Sequence, residues 1–341
     1  MADLLRLDFA GFEPSETNKV ERLLGILAGF DADEYLGKRL ALHGGTALNV
    51  FLFSLPRLSV DIDVVYVANT DPQVMEAERD GVEARLTQIT EALGYRVALK
   101  KWTYAGRPVV LRYTDPHHGR DRVKVDVNYL SRSPLLPLER RTVRTPSGME
   151  VTFRTKSAVE LIAGKMQALI ERQAVRDLYD VGNIAGVYAR MRADGDEVLI
   201  RRVVLYHLSL TERFPRAFAV SGRFAGHELD VATQLAPMLR AGAAPDFDEM
   251  VHTAQAFLTD VATPRDDAEA QYLASLANGQ FNSDLLFDEY PDVCAAAKAD
   301  PVAERKTHNL ARAPAALFAD AAVFAPGISL VQEPGAGRER P

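Results

Sequence analysis

The first half of the chain alternates between helical and strand-like patterns of apolar positions. After Pro14, apolar residues recur at helical spacing and predict a first helix, through Val20, Leu23, Leu24 and Leu27. The same criterion predicts two further helices, over residues 47–53 and 74–93. Short β-rich segments predict strands over residues 40–42, 61–67, 95–102, 108–113 and 122–129. Pro134, Pro137 and the tripeptide Pro146-Ser147-Gly148 indicate a loop and a short hairpin over residues 134–148.

The second half of the chain has a different pattern. From Ser157 to about Leu317, alanine and leucine become frequent, β-branched clusters thin out and helical spacing dominates. We therefore expect an α+β fold, with a mixed-sheet domain over residues 1–155 and a mainly helical domain over residues 156–325. The stretch 326–341, rich in glycine, proline and charge, is expected to be a flexible tail.

Composition limits the class of protein. The chain has 341 residues, of which 47% are hydrophobic and 26% charged, and these values are typical of a globular protein. The single cysteine, Cys294, excludes an intramolecular disulfide framework and a cysteine-rich zinc module. Charged residues interrupt the N-terminal segment, and no apolar run reaches the ~18 residues of a membrane helix. We therefore expect a cytoplasmic protein with no membrane contact.

Charge is unevenly distributed, although the formal net charge is only −7. Residues 120–156 contain nine basic and four acidic side chains, whereas residues 246–300 contain twelve acidic and two basic ones. The acidic total argues against indiscriminate coating of nucleic acid, but the basic stretch offers a path for a nucleic-acid partner. An ordinary solvated face is the alternative for each stretch.

A glycine pair between a predicted strand and a predicted helix is the first candidate site. At Gly44-Gly45, backbone amides and the helix N-terminus could approach a phosphate closely. The next residue, Thr46, could donate its hydroxyl to a phosphate oxygen or cap the helix. The alternative is a tight turn with a threonine cap and no ligand.

Two predicted strands carry carboxylates at alternating positions. Because side chains i and i+2 of a strand share a face, Asp61 and Asp63 project together, and Asp126 shares a face with Lys124. Adjacent carboxylates repel each other, and Mg²⁺, which prefers oxygen ligands, would hold them ionised. If the two strands are neighbours, the three carboxylates meet and suit two metal ions around a transferring phosphoryl group. A solvated edge strand is the alternative.

The predicted helix after Ser157 carries paired charges. Lys165 and Arg172 are seven residues apart and so face the same way, and Asp177 and Asp180 are three apart. Two cations on one face suit a triphosphate. The two acids could orient those cations or cap the following helix, and an exposed pair of cations is the alternative.

Ser59 is a further nucleotide-binding candidate. It lies two residues before Asp61, so its hydroxyl shares the carboxylate face if the strand begins there. A phosphate on Ser59 or Thr46 would place negative charge where a triphosphate must lie and would block the site. The alternative is a serine that hydrogen-bonds only locally.

These motifs in combination resemble the AbiEii/AbiGii nucleotidyltransferase toxins of the DNA polymerase β-like superfamily, which include the MenT toxins. The resemblance spans about residues 40–180 and rests on Gly-Gly-Thr-Ala-Leu, Arg-x-Ser-x-Asp-x-Asp, a later strand Asp, and Lys-x6-Arg-x4-Asp-x2-Asp. It implies a nucleotidyltransferase domain over residues 1–155, with the helical domain completing the NTP site.

The resemblance also implies an activity and partners. The expected protein is a toxin of a toxin–antitoxin or phage-defence pair, counteracted by a cognate antitoxin. It moves a nucleotide from an NTP to an acceptor, which in MenT-like members is the tRNA 3′ end, and so blocks translation. Two Mg²⁺ ions are the expected cofactors.

The resemblance assigns roles to single residues. Those expected to hold phosphates are Gly44, Gly45 and Thr46. The expected metal ligands and catalytic carboxylates are Asp61, Asp63 and Asp126. Lys165 would contact the triphosphate as a fourth catalytic residue, and Asp177 or Asp180 would order the basic residues around it.

Two other functions stay open at this point. One is a nucleotidyltransferase that acts on a small molecule or on a protein side chain. The other is a non-catalytic NTP-binding regulator, against which Asp126 argues. Outside these motifs, we expect no metal role for His117-His118, a buried position for Cys294 and a packing role for Trp102.

Overall fold

The computed structural model describes residues 4–103, 106–115, 119–215, 228–243 and 245–312. Its centre is an eight-stranded mixed sheet that lies within the first 155 residues. The strands are β1 Leu5–Arg6, β2 Leu40–His43, β3 Asp61–Tyr66, β4 Arg96–Leu99, β5 Gly106–Asp115, β6 Gly119–Asn128, β7 Glu139–Arg144 and β8 Glu150–Thr155.

The order of strands across the sheet is β1-β7-β8-β2-β3-β6-β5-β4. The pairs β1–β7, β2–β8 and β3–β6 are parallel, and the other neighbours are antiparallel. The β3–β6 pair matters most for the candidate site, because its register places Asp63 directly opposite Asp126.

Helices accompany the sheet and then form the rest of the described chain. The first half contains α1 Pro14–Ala32, α2 Glu34–Arg39, α3 Gly44–Phe51 and α4 Pro72–Ala92. After β8, the regular elements of the described ranges are all helical: α5 Ala158–Arg172, α6 Val175–Asp194, α7 Glu197–Ser209, α8 Glu228–Asp230, α9 Phe247–Ala262, α10 Asp267–Ala277, α11 Asp284–Phe287, α12 Pro291–Lys298 and α13 Pro301–Arg312. A π-helical turn, Val231–Leu235, and a 3-10 turn, Ala236–Met238, continue from α8.

Strand β6 separates an apolar face of the sheet from a polar one. Val123, Val125 and Val127 are buried, whereas Lys124 is exposed and Asp126 is half-buried. This alternation follows from the two-residue period of a strand. The sequence pattern therefore predicted correctly which side chains of β6 enter the core.

Helices α1 and α4 cover the apolar face. Asp121, on the valine side of β6, pairs with Lys19 of α1 at 3.1 Å. Arg107 lies opposite Val127 in the β5–β6 register and pairs with Glu83 of α4 at 3.1 Å. The opposite face of β4, β5 and β6, which carries Lys124, is thus left free of these two helices.

The α+β class is confirmed, with differences at several boundaries. The helix predicted over residues 47–53 is α3, which begins earlier, at Gly44, because the glycine turn itself joins the helix. The strand predicted over residues 95–102 ends at Leu99. The stretch 134–148 contains β7, which the apolar pattern did not reveal because only Val143 of its six residues is apolar. Strand β7 is stabilised by its pairing with β8.

The remaining expectations concern single features. Cys294 is buried in α12, and Trp102 is partly exposed with the Arg79 guanidinium 4.3 Å from its ring centre. Within the described ranges, no helix is at once long and apolar enough to cross a membrane. His117-His118 and the stretch 326–341 lie outside the residues that the structure describes.

Candidate active site

The turn between β2 and α3 requires its two glycines. Gly44 has a φ of +71°, and a Cβ there would overlap the carboxylate of Asp63. A Cβ at Gly45 would lie 2.9 Å from the Ser59 hydroxyl oxygen and 3.9 Å from Lys165 Nζ. The turn therefore passes between an acidic and a basic side chain with no room for a side chain of its own.

The carboxylates lie on two neighbouring parallel strands. Asp63 of β3 is opposite Asp126 of β6 on one side and opposite His43 of β2 on the other. Asp61 is opposite Lys124, so both β3 carboxylates are adjacent to charged positions of β6. All three carboxylate residues are half-buried.

The electrostatics of this group favour a bound cation. Burial raises the pKa of Asp63 to about 6, and the neighbouring Asp61 and Asp126 carboxylates add to the shift. Burial alone would lower the pKa of Lys124, but the bond to Asp126, at 2.5 Å, raises that pKa above its usual value. Among the described residues, no cation is bonded to Asp63 as Lys124 is to Asp126, although Lys165 and Arg172 partly offset the rise in its pKa.

The chemistry of the donors fits Mg²⁺, although the side chains are not gathered around one point. Among the described residues, no group of three carboxylate, histidine or cysteine side chains is arranged as a metal site. Mg²⁺ commonly takes only one or two protein carboxylates and completes its shell with water and substrate phosphates. Asp61 and Asp63 meet that requirement, whereas Asp126 is engaged with Lys124.

Helix α5 supplies the cations predicted from the sequence, in two different environments. Lys165 has a side chain only 4% exposed and bonds Asp177 at 2.9 Å and Asp180 at 2.8 Å. Arg172 bonds Asp177 at 2.7 Å, but its side chain is 64% exposed. The two acids of α6 therefore hold both cations, and Lys165, unlike Arg172, is bonded to both of them.

Two further residues, Arg57 and Asn49, complete this cluster, and the sequence reasoning gave them no role. Arg57 makes a two-point contact with Asp180, at 2.7 and 2.6 Å. Asn49 donates to Asp180 at 3.2 Å and to the Gly45 carbonyl at 3.0 Å. Although burial opposes it, Arg57 and Lys165 hold the pKa of Asp180 at about 2. Two signals were present: Arg57 is the first residue of the Arg-x-Ser-x-Asp-x-Asp motif, and Asn49 is a polar residue in the otherwise apolar second half of α3.

Thr46 and Ser59 lie behind the turn and differ from their expected positions. The helix starts at Gly44 and its cap position is His43, so the interpretation of Thr46 as the cap is wrong. The buried Thr46 hydroxyl donates to the Asp61 carbonyl and lies 3.1 Å from the Ser59 hydroxyl. Strand β3 begins at Asp61, so Ser59 is not part of the face that Asp61 and Asp63 share.

A cavity of about 400 Å³ is lined both by one of these carboxylates, Asp63, and by the cations of α5. Its lining includes Asp63 and Gly44 of the carboxylate side, the cations Lys165 and Arg172, and Glu160. Its volume is within the range of small-molecule sites. The arrangement can therefore place a polyanion against the cations and, at the same time, against the carboxylate edge of the sheet.

Two titratable groups of the cavity are held in one charge state. Burial lowers the pKa of His43 to about 3, with Lys156 and Arg172 adding to the shift, so the imidazole is neutral near pH 7. Although burial opposes it, Lys156 and His207 hold the pKa of Glu160 at about 2. Glu160 also accepts bonds from the backbone amides of residues 135 and 136, at 3.3 Å each.

Solved structures with a similar fold exist. MenT4, a nucleotidyltransferase toxin from Mycobacterium tuberculosis H37Rv, superposes with a TM-score of 0.56 at 19% identity, over 83% of this chain and 92% of that one. A CdnC:HORMA-deltaN complex of E. coli MS115-1 matches over 84% of this chain and 93% of its own, at 14% identity. Its TM-score of 0.26 is too low to support an argument. The likeness to MenT4 concerns the fold.

Sequence comparison identifies the family. No curated protein sequence matches the chain. The family described as "Nucleotidyl transferase AbiEii toxin, Type IV TA system" matches residues 25–253, which is more than half of the chain and includes every site residue described above. The chain therefore belongs to the AbiEii family of nucleotidyltransferase toxins from type IV toxin–antitoxin systems.

Proposed function

We propose that this toxin transfers a nucleoside monophosphate from an NTP to an RNA acceptor, the 3′ end of tRNA, with Mg²⁺ as cofactor. One observation supports this most directly: the Gly44-Gly45 turn has Asp63 against its first residue and Lys165 near its second. A triphosphate at this turn meets backbone amides and a cation on one side and the carboxylates on the other. We also infer that a cognate antitoxin counteracts the toxin in the cytoplasm.

Asp61 and Asp63 are the residues that would hold Mg²⁺. When bound there, the ion offsets the charge of the triphosphate and stabilises the charge that develops at the α-phosphate. Asp126 is placed beside them, opposite Asp63 in the register. It can accept the proton of an acceptor hydroxyl, or join a second ion, once its bond to Lys124 opens.

The proposed transfer balances without a further reactant. The acceptor hydroxyl oxygen forms a bond to the α-phosphorus while the bond from that phosphorus to the bridging oxygen of the β-phosphate breaks. The hydroxyl proton passes to Asp126, and pyrophosphate leaves towards Lys165 and Arg172. Lys165 can serve while held by Asp177 and Asp180, because an ammonium group has three N–H donors and these two acids occupy only two.

The experiment that tests this function follows labelled nucleotide into RNA. Purified protein is incubated with each α-labelled NTP, Mg²⁺ and total RNA, and the RNA is then resolved by size. We expect label in the tRNA fraction for at least one NTP, and none after chelation of the metal. Label found only in protein or in small molecules would show that the acceptor is not RNA. Absence of any transferred label would refute the nucleotidyltransferase activity.

A further inference from the structure

Five exposed basic residues lie on the face of β4, β5 and β6 opposite α1 and α4. We name them the β4–β6 basic face: Arg96, Arg112, Arg120, Arg122 and Lys124. The register places Arg96 opposite Arg112, and Arg112 opposite Arg122. Since neighbouring strands are about 4.8 Å apart, these three arginines form a row roughly 10 Å wide across the sheet.

The basic face begins at the candidate active site. Arg122, Lys124 and Asp126 alternate along β6 and therefore share one side of the strand. Same-side residues are about 6.8 Å apart along a strand, so Arg122 lies roughly 14 Å from Asp126 along β6. Lys124 is opposite Asp61, and the face therefore extends outward from the carboxylates without interruption.

The arginine row lacks internal charge compensation. Like charges directly opposite each other on neighbouring strands destabilise a sheet. Within the described ranges, Arg96, Arg112 and Arg122 form no ion pair with an acidic side chain. The intervening acid of β6, Asp121, points to the other face and pairs with Lys19. An anion supplied from outside would relieve this repulsion.

Lys124 is exposed but pairs with Asp126 at 2.5 Å, and the basic residues of the stretch 120–156 outside the face are bound to protein groups as well. Two of these residues bond backbone carbonyls: Arg132 those of residues 70 and 129, and Arg154 that of residue 38. The other four form ion pairs: Arg140 with Asp31, Arg141 with Glu139, Arg144 with Glu150, and Lys156 with Glu160. The basic path expected from the sequence is therefore confined to β6 and continues sideways onto β5 and β4.

The chemistry of this face fits phosphates rather than a protein surface. The five exposed residues of the face are all cations. Val110, which lies opposite Lys124 on the same side of the sheet, is buried and so exposes no large apolar surface between them. Affinity for nucleic acid comes largely from such cations, whereas the centre of a protein interface is depleted in charge. A row leading to the carboxylates also has the shape that an extended strand requires.

We propose that the β4–β6 basic face binds the sugar-phosphate backbone of the acceptor RNA, upstream of the end that reacts at Asp61 and Asp63. This inference rests on the proposed transfer to RNA. Lys124 and Arg122 contact the phosphates nearest the reactive end, and Arg112 and Arg96 contact those that follow. The acceptor strand thus runs across β6, β5 and β4 towards the sheet edge.

The test compares two double variants with the same change in charge. Arg112→Ala/Arg122→Ala removes two members of the face, and Arg190→Ala/Arg312→Ala removes two exposed arginines of the helical half. The probe is a 5′-labelled single-stranded RNA of about 20 nucleotides, in Mg²⁺ without NTP, titrated over a salt series. We expect Arg112→Ala/Arg122→Ala to bind the RNA about 10-fold more weakly near 0.1 M salt. In a plot of the logarithm of the association constant against the logarithm of the salt concentration, its slope should be smaller in magnitude by about 1.4. The control variant should match the wild type.

Other results separate this inference from the proposed function. Unchanged RNA affinity and salt slope in Arg112→Ala/Arg122→Ala would overturn the assignment of the face. If the wild type binds RNA through this face but transfers no label, the face assignment stands and the proposed activity fails. If the wild type transfers label and the variant does so equally at limiting RNA, only the face assignment fails.

Discussion

Arg57 and Asp180, 123 positions apart in the chain, form a buried ion pair with two contacts, at 2.7 and 2.6 Å. Their side chains are 3% and 0% exposed. The pair ties α6 to the loop that precedes β3, and Asp180 also holds Lys165. The position of the cation opposite the carboxylates therefore depends on a contact between the two halves of the chain.

Removal of Asp180 should destabilise the protein strongly. Asp180→Ala leaves Arg57 buried without its carboxylate partner and leaves Lys165 with Asp177 alone, and loss of one member of a buried pair costs about 3–5 kcal/mol. Urea unfolding measures this cost. Asp31→Ala is the control, because it breaks the pair with the exposed Arg140 and should cost no more than about 1 kcal/mol. Equal, small effects for both variants would contradict the role given to Asp180.

The charge of Glu160 should make stability depend on acid pH. Its pKa is about 2 in the folded protein, against a usual value of 4.5, so its stabilising contribution is complete above about pH 5 and declines as pH falls towards 2. The free energy of unfolding of the wild type should therefore lose about 2 kcal/mol more than that of Glu160→Gln between pH 5 and pH 3. Parallel pH profiles for the two proteins would show that Glu160 is not held ionised.

The two cations of α5 should differ in importance. Lys165 is enclosed between two carboxylates beside the glycine turn, whereas Arg172 is largely exposed. We expect Lys165→Ala to reduce transfer by at least about 100-fold and Arg172→Ala by about 10-fold, since a fixed group contributes more to transition-state stabilisation. Initial rates and NTP affinity test this order. Unchanged NTP affinity and rate in Lys165→Ala would make the lysine a structural residue only.

A negative charge at Ser59 should block the site from behind the turn. Ser59 is buried, and its hydroxyl oxygen lies 2.9 Å from where a Cβ at Gly45 would be. Ser59→Glu should abolish transfer and toxicity, because its carboxylate competes for Lys165, while Ser59→Ala should keep most activity. Thermal unfolding of both variants separates a blocked site from a lost fold. A folded and fully active Ser59→Glu protein would exclude regulation by phosphorylation at this position.

The sequence predicted those parts of the site that depend on local pattern. Alternation along β3 and β6 predicted the shared faces of Asp61, Asp63 and Lys124, and the glycine pair predicted the turn before α3. Partners in three dimensions were not predictable in this way. Arg57 meets Asp180 only because the loop before β3 packs against α6, and no local spacing encodes that contact.

Charge counts along the chain were similarly incomplete. The stretch 120–156 is basic in sequence, but folding pairs its later members, such as Arg140 and Arg144, with acids of other segments or strands. Arg96 and Arg112 lie outside that stretch and reach the same face only through strand pairing. Sheet register, rather than linear charge density, determines where an anion can bind.

The most direct test of the central claim is the fate of two labels on one NTP. With RNA and Mg²⁺, the wild type should transfer an α-phosphate label to RNA and release a γ-phosphate label as pyrophosphate in equal amounts. Asp63→Asn should lose at least about 10³-fold of both signals while it remains folded, since the substitution removes a ligand of the proposed Mg²⁺ and relieves carboxylate repulsion. Transfer of the γ-label to RNA, or near-normal activity of Asp63→Asn, would contradict nucleotidyl transfer at this site.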